Sequence, residues 1–119
     1  MADRVIERQG VAVLVCGDDG PTIAAVQDAL DVIGSAFSQA DVVAVPVGRL
    51  DERFFTLRTG LAGEIMQKFI NYRIRLAIVG DISAQVAAST ALRDLVFESN
   101  RGRHVWFVND LDELDPYLG

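Results

Sequence analysis

The sequence has one cysteine, one histidine and no apolar run of about 18 residues, the length that a membrane-spanning helix needs. A single cysteine excludes an internal disulfide, and the position of Cys16 at the end of an apolar run predicts a buried thiol. His104 and Cys16 together supply neither a zinc site nor a catalytic triad. Because an N-terminal signal region is also missing, we expect a soluble, cytoplasmic protein that does not contact a membrane.

An excess of basic residues is missing as well. The formal net charge is −6 at pH 7, which argues against a nucleic-acid partner, because such proteins usually present a basic surface. Neither the phosphate-binding pattern Gly-x-x-x-x-Gly-Lys nor the dinucleotide pattern Gly-x-Gly-x-x-Gly occurs. These absences give no reason to expect a cofactor, and they favour a role other than catalysis.

What is present is enough apolar sequence for one core. Half of the 119 residues are apolar, so residues 1–119 are expected to form a single domain. The clearest pattern lies in residues 57–81. Apolar residues between Leu61 and Ile70 recur with helical spacing, and the apolar run Leu76–Val79 has the pattern of a strand that is covered on both faces. This helix and strand form half of a βαβ unit.

The flanking segments extend the same alternation. Two strand-like runs, 4–8 and 11–16, are separated by Gln9-Gly10, which predicts a tight hairpin. A first helix is expected to begin at Pro21, with an inward stripe that contains Ile23, Val26, Leu30, Ile33 and Phe37. Residues 42–45 form the next predicted strand.

The second half of the chain gives three more helices and two strands. We expect the second helix to run from near Thr59 to near Tyr72, a strand over residues 73–80 and a third helix from about Thr90 to Asn100. Residues 84–89 give no clear pattern. A last strand at 104–108 is followed by a short helix, at whose start Asp110 and Glu113 have capping-box spacing.

The predicted order is therefore β-β-α-β-α-β-α-β-α. Strands that single helices connect are parallel and linked by right-handed crossovers, and the N-terminal hairpin adds one antiparallel strand. The sequence thus predicts an α/β domain whose mixed sheet has a parallel core and is flanked by helices. An open sheet leaves edge strands, so a homo-oligomer is also an open alternative.

The segment from Phe54 to Ser83, FFTLRTGLAGEIMQKFINYRIRLAIVGDIS, closely resembles a bacterial family that is numbered 4180 among the domains of unknown function. Two shorter segments, 28–31 and 98–102, also match this family. The resemblance covers nearly the whole chain. It implies no established activity.

A second resemblance involves the element order and the sequence Thr59-Gly60-Leu61. Both are similar to the STAS domain of anti-sigma-factor antagonists, which binds a partner kinase around the start of this helix. The resemblance implies a regulatory protein-interaction module, in which Thr59 takes the place of a phosphorylated serine and Phe54 and Phe55 contribute to docking. The acidic residue that usually precedes that serine is absent, because Leu57 and Arg58 stand there. A second interpretation is that the Thr59 hydroxyl only caps the helix.

The alternative function is a small-ligand or Mg²⁺-binding, enzyme-like domain. Ligands of parallel sheets bind beyond the carboxyl ends of the strands, and carboxylates are suitable Mg²⁺ ligands. The candidate residues at those ends are Asp18, Asp19, Asp81, Ser83 and Asp110. The simpler interpretation is that each aspartate caps a helix or turn. Arg73, Arg75, Arg101 and Arg103 are either solvated or contact a small anion or acidic partner segment.

Overall fold

The structure is a computed structural model, and it describes residues 3–119. The strands in this range are β1 (Arg4–Arg8), β2 (Val11–Val15), β3 (Val42–Pro46), β4 (Arg75–Val79) and β5 (Val105–Val108). The α-helices are α1 (Val26–Ala36), α2 (Leu61–Asn71), α3 (Ser83–Ala88), α4 (Thr90–Arg101) and α5 (Asp115–Leu118). Short 3₁₀ turns cover Val47–Arg49, Glu52–Phe54, Leu57–Thr59 and Asp112–Leu114.

The first two strands form the predicted hairpin. Gln9 and Gly10 both have positive φ, 53° and 75°, and Arg8 pairs with Val11 across the turn. Two consecutive left-handed residues are typical of the type I′ turn, whose twist matches that of the flanking strands. The hairpin prediction is confirmed.

The five strands form one mixed sheet in the order β1-β2-β3-β4-β5. β1 is antiparallel to β2, whereas the β2–β3, β3–β4 and β4–β5 pairs are parallel. Each strand lies beside the next one in the chain, so right-handed crossovers bring successive helices to the same face. The predicted α/β class and the parallel core are confirmed.

One face of the sheet carries the larger part of the core. Strand residues on this face pack against α1, α2 and α4; buried members include Leu14, Val43, Leu76, Ile33, Ile65 and Phe69. Phe54 is also fully buried in this core, and Phe55 packs against it. Both phenylalanines therefore pack onto the core.

Among residues 3–119, the segment that covers the opposite face of the sheet is the C-terminal one, residues 111–118. Leu114 is completely buried against this face, and Tyr117 stacks on Trp106 with ring centroids 5.4 Å apart. Leu111 and Leu118 pack beside them and are half-buried. The leucines of the C-terminal segment therefore face the sheet.

The first helix differs from the prediction. It begins at Val26 instead of Pro21, because Ile23 forms a bridge with Leu50 that holds this part of the chain extended. The Asp28 carboxylate accepts hydrogen bonds from the N–H groups of Ala24 and Ala25, which fixes the new start. Phe37 follows the last helical residue and is 59% exposed, so its expected core position was wrong.

The second and third crossovers also differ in detail. α2 begins at Leu61, since Gly60 has a φ of +79° and separates the helix from the preceding 3₁₀ turn. The segment with no clear pattern forms α3, and Ser89 caps α4 by accepting a hydrogen bond from the Leu92 N–H. The third crossover thus contains two helices, where the predicted order has one.

Candidate functional site

The residues that the sequence assigns to partner binding lie in and around one turn. We call residues 56–60, which consist of the 3₁₀ turn at Leu57–Thr59 and the residue on each side of it, the α2-start turn. The Thr59 hydroxyl lies 2.8 Å from the carbonyl oxygens of Arg53 and Thr56, to which it donates, and it accepts a longer hydrogen bond of 3.3 Å from the Leu61 N–H. The structure therefore agrees with the interpretation that the Thr59 hydroxyl caps the start of the helix.

The five candidate residues divide into a surface group and a supporting group. Thr59 and Gly60 are exposed, whereas Leu61 is 8% exposed and Phe54 is completely buried. Phe55 is half-buried and contacts Phe54 edge to face, with ring centroids 5.3 Å apart. Thr59 and Gly60 therefore form the accessible surface, and the buried side chains fix the turn to the core.

The α2-start turn combines a helix N-terminus with the basic side chain of Arg58, and the acidic Glu64 lies in the first turn of α2. The N-cap residue Gly60 makes no side-chain hydrogen bond to α2, Thr59 accepts from the Leu61 N–H, and the first N–H groups of a helix carry a partial positive charge. The exposed Arg58 has no ion-pair partner within residues 3–119. Arg53 is already engaged, since it pairs with Asp51 at 3.0 Å and donates to the Ala24 carbonyl.

The four candidate aspartates are distributed along the carboxyl edge of the sheet, and two of them act as caps. Asp81 accepts a hydrogen bond from the Ser83 N–H at 2.8 Å, and hydrogen bonding from Ser83 lowers the pKa of Asp81. Asp110 accepts one from the Glu113 N–H, while Glu113 in turn accepts one from the Asn109 N–H. These two aspartates therefore have the capping role that the sequence offered as the simpler interpretation.

The aspartates do not form a common metal site. Within residues 3–119, no three side chains of the types His, Cys, Asp or Glu lie close enough together to hold a metal ion. Asp81 and Ser83 line a shallow cavity of about 240 Å³ beside Phe107, whereas Asp18 lines a different groove on the other face. Asp19 is exposed on the loop after β2.

Arg49 is a residue that the sequence analysis missed. Only 6% of it is exposed, and its guanidinium donates to the backbone carbonyls of Pro21 and Gly17 at 3.1 and 3.3 Å. It thereby joins the loop after β2 to the turn after β3. A Cβ atom at Gly20 would lie only 2.4 Å from the Arg49 Cζ atom, so this glycine is needed for close approach. The only sequence signal was a charged residue in a Gly-containing loop.

The groove that Asp18 lines has a volume of about 350 Å³ and lies at the carboxyl ends of the parallel strands. We call it the strand-end groove. Val15, Ala44 and Val79 form its apolar floor, and Leu111 forms one wall. Arg4, Asp18 and Asn109 provide its polar side chains.

The fold and these two surfaces define a small α/β domain with a mixed five-stranded sheet and one main layer of helices. Residues 8–118 match the family described as Domain of unknown function (DUF4180), and the chain belongs to this family. No curated protein and no solved structure matches the chain. The family resemblance of the sequence is thus confirmed, and the likeness to STAS domains stays a prediction. No helix within residues 3–119 is long and apolar enough to cross a membrane.

Proposed function

We propose that this protein is a cytoplasmic regulatory module, similar in role to anti-sigma-factor antagonists, that docks an acidic segment of another protein on the α2-start turn. The observation that carries the proposal is the exposed Thr59, whose hydroxyl lies at the N-terminus of α2 and accepts from the Leu61 N–H. A regulated docking surface needs an accessible acceptor group on a fixed support. Both are present, because the buried Phe54 and Leu61 hold the turn in place.

The charge of the turn favours an acidic partner. The N–H groups at the start of α2 and the guanidinium of Arg58 both attract carboxylates, and Arg58 has no ion-pair partner within residues 3–119. Arg58 is exposed, so it contributes mainly to the association rate and to salt dependence. The buried apolar residues of the turn contribute by keeping the surface rigid.

Phosphorylation of Thr59 is the proposed switch. A phosphate adds a charge of about −1.5 to −2 at pH 7, and at this position it would lie against the positive end of α2. The turn would tolerate the phosphate, whereas an acidic partner segment would be repelled. Because the modified hydroxyl can no longer donate to the carbonyls of Arg53 and Thr56, the side chain would also turn outward.

The experiment is a quantitative affinity pull-down from the native host with wild type, Thr59→Ala and Thr59→Asp as baits. We expect a partner that wild type and Thr59→Ala retain and that Thr59→Asp loses by about tenfold or more, because only the aspartate brings negative charge to the turn. The interaction should weaken as salt is raised, and Arg58→Glu should weaken it as well.

Thr90→Asp is the matched control, since Thr90 is an exposed threonine at the start of α4, away from the α2-start turn. It should retain the partner as wild type does. A partner that is held equally by Thr59→Asp would show that the docking surface lies elsewhere. Loss with Thr90→Asp to the same extent would indicate a general effect of net charge.

A further inference from the structure

The strand-end groove lies where open α/β sheets bind their ligands. Residues that follow β2 and β4, Gly17 and Gly80, line it together with Asn109, which follows β5. Ligands of open α/β sheets bind outside the carboxyl ends of the strands, and this groove lies at those ends although the sequential strand order has no switch point. The volume of about 350 Å³ falls in the range of about 300–1,000 Å³ that is usual for small-molecule sites.

The floor of the groove exists because the C-terminal segment covers only part of this sheet face. Leu114 buries Val13 and Trp106 completely or nearly so, whereas Val15 and Val79 are only half-buried. Leu111 marks the limit of the covered part and forms a wall of the groove. The remaining apolar strip is suited to a small aliphatic group.

Two opposite charges line the same groove without neutralising each other. Within residues 3–119, the side chains of Arg4 and Asp18 have no hydrogen-bond or ion-pair partner, and they do not form an ion pair with one another. Arg4 lies on β1, directly across from Val15, and Asp18 lies on the loop after β2. A ligand with one negative and one positive group could pair with both.

We infer that the strand-end groove binds a small zwitterion with an apolar side chain, of the chemical class of the aliphatic α-amino acids. The ligand's carboxylate pairs with the Arg4 guanidinium, and its ammonium group pairs with the Asp18 carboxylate. The side-chain amide oxygen of Asn109 offers a further acceptor, because the Asn109 amide nitrogen is engaged with Glu113 at 3.3 Å. The aliphatic side chain lies on Val15, Ala44 and Val79.

Isothermal titration calorimetry with three related probes tests each contact separately. L-Leucine carries both charges, 4-methylpentanoate carries only the carboxylate and isoamylamine carries only the ammonium group. We expect wild type to bind leucine most tightly, with a Kd of about 0.1–1 mM, as is reasonable for so small a ligand. Each single-charge probe should bind about tenfold more weakly or worse.

Two charge-removing variants should give reciprocal patterns. Arg4→Gln should lose about tenfold in affinity for leucine and 4-methylpentanoate and leave isoamylamine unchanged. Asp18→Asn should weaken leucine and isoamylamine and leave 4-methylpentanoate unchanged. Glu7→Gln is the control, because Glu7 is an exposed residue of β1 that does not line the groove, and it should bind all three probes as wild type does.

A second measurement needs no variant. Methyl-resolved NMR of the wild-type protein should show leucine-dependent shifts at Val15, Val79 and Leu111, and none at Ile65 in the core on the other face. The inference is overturned if leucine causes no shifts at 10 mM, on the order of ten times the weakest Kd expected for so small a ligand, or if both variants bind leucine as wild type does. The groove and the α2-start turn are separate surfaces, so failure here leaves the pull-down result unaffected.

Discussion

Arg49 is the single buried charged residue in the part of the chain that the structure describes, and its surroundings explain why a charge is tolerated there. The guanidinium donates to two backbone carbonyls, and Asp3 lies 3.9 Å away. These partners offset the desolvation of the charge. Arg49 also shapes the approach to the strand-end groove, because the carbonyl that it binds at Gly17 belongs to a residue that lines this groove.

Replacing Arg49 by methionine keeps most of the side-chain volume and removes every donor. We expect Arg49→Met to lower the free energy of unfolding by about 2–3 kcal/mol, because the carbonyl groups of Gly17 and Pro21 lose their partners. Urea denaturation followed by circular dichroism measures this change. Arg58→Met, at an exposed site, should stay within about 0.5 kcal/mol of wild type. Equal losses in the two variants would contradict the structural role of Arg49.

The buried thiol of Cys16 predicts that the protein becomes less stable in alkaline solution. Burial of its thiol, which is 2% exposed, raises the pKa of Cys16 to about 11. The folded state therefore keeps its proton where the unfolded chain, with a thiol pKa of 9.0, has lost it, so stability decreases as pH rises from about 9 to 11. Melting temperatures of wild type should fall more steeply over this range than those of Cys16→Ala, which has no thiol to titrate. Parallel curves would refute the assignment.

At the scale of elements, the C-terminal segment depends on its contacts. α5 has only four residues, and a helix of that length is not stable alone. Leu114 and the Trp106–Tyr117 stack provide apolar contact. Arg8 on β1 adds two hydrogen bonds to the Asp115 carboxylate, both 2.9 Å long, and one to Asp112 at 2.8 Å. This ion pair joins the first strand of the sheet to the last helix.

The same ion pair predicts how the stability of the protein changes at acidic pH. Hydrogen bonding from Arg8 lowers the pKa of Asp115 below its usual value of 3.8. The native state thus favours the ionised form of Asp115. The ion pair with Arg8 therefore stabilises the fold fully above the pKa that Asp115 has in the unfolded chain, and this stabilisation is lost as the pH falls through the lower pKa of the folded state. In Arg8→Gln, we expect the NMR titration of Asp115 to move back towards 3.8 and amide exchange in residues 111–118 to become faster. Arg93→Gln, at an exposed arginine outside these contacts, should change neither.

The apolar periodicity of the sequence predicted which helices and strands form, but it placed the ends of the helices less accurately. The apolar stripe of α2 and the continuous run of β4 require burial on defined faces, so the sequence reveals both. The start of α1 depends on the bridge between Ile23 and Leu50, residues that are distant in sequence. The strand-end groove has the same origin, because Arg4, Asp18 and Asn109 meet only through the order of the strands. Single-sequence patterns do not contain such pairings.

For the molecule as a whole, the two edges of the sheet differ. The outer edge of β5 is closed by Asn100 of α4, whose side-chain amide donates to the Phe107 carbonyl at 3.1 Å and accepts from the Phe107 N–H at 2.7 Å. The Asn100 side chain thereby makes the two hydrogen bonds that a neighbouring strand would make with Phe107. On β1, the other edge strand, no side chain of residues 3–119 hydrogen-bonds to the outer backbone groups in this way. Val5 of this strand is 44% exposed. An exposed edge can pair with another chain.

Asn100→Ala tests whether this side chain keeps the protein from associating through β5. The variant leaves the N–H and carbonyl groups of Phe107 without partners on the strand's open side, which should cost about 1–3 kcal/mol of stability. A second copy can satisfy both groups by edge pairing, so we expect concentration-dependent association in sedimentation velocity beyond any shown by wild type. Asn71→Ala is the matched control, because Asn71 is an exposed asparagine at the end of α2 whose side chain accepts a hydrogen bond from Gln67 and makes no hydrogen bond to a strand edge within residues 3–119. Association of Asn100→Ala no stronger than that of Asn71→Ala would show that Asn100 stabilises β5 without protecting its edge.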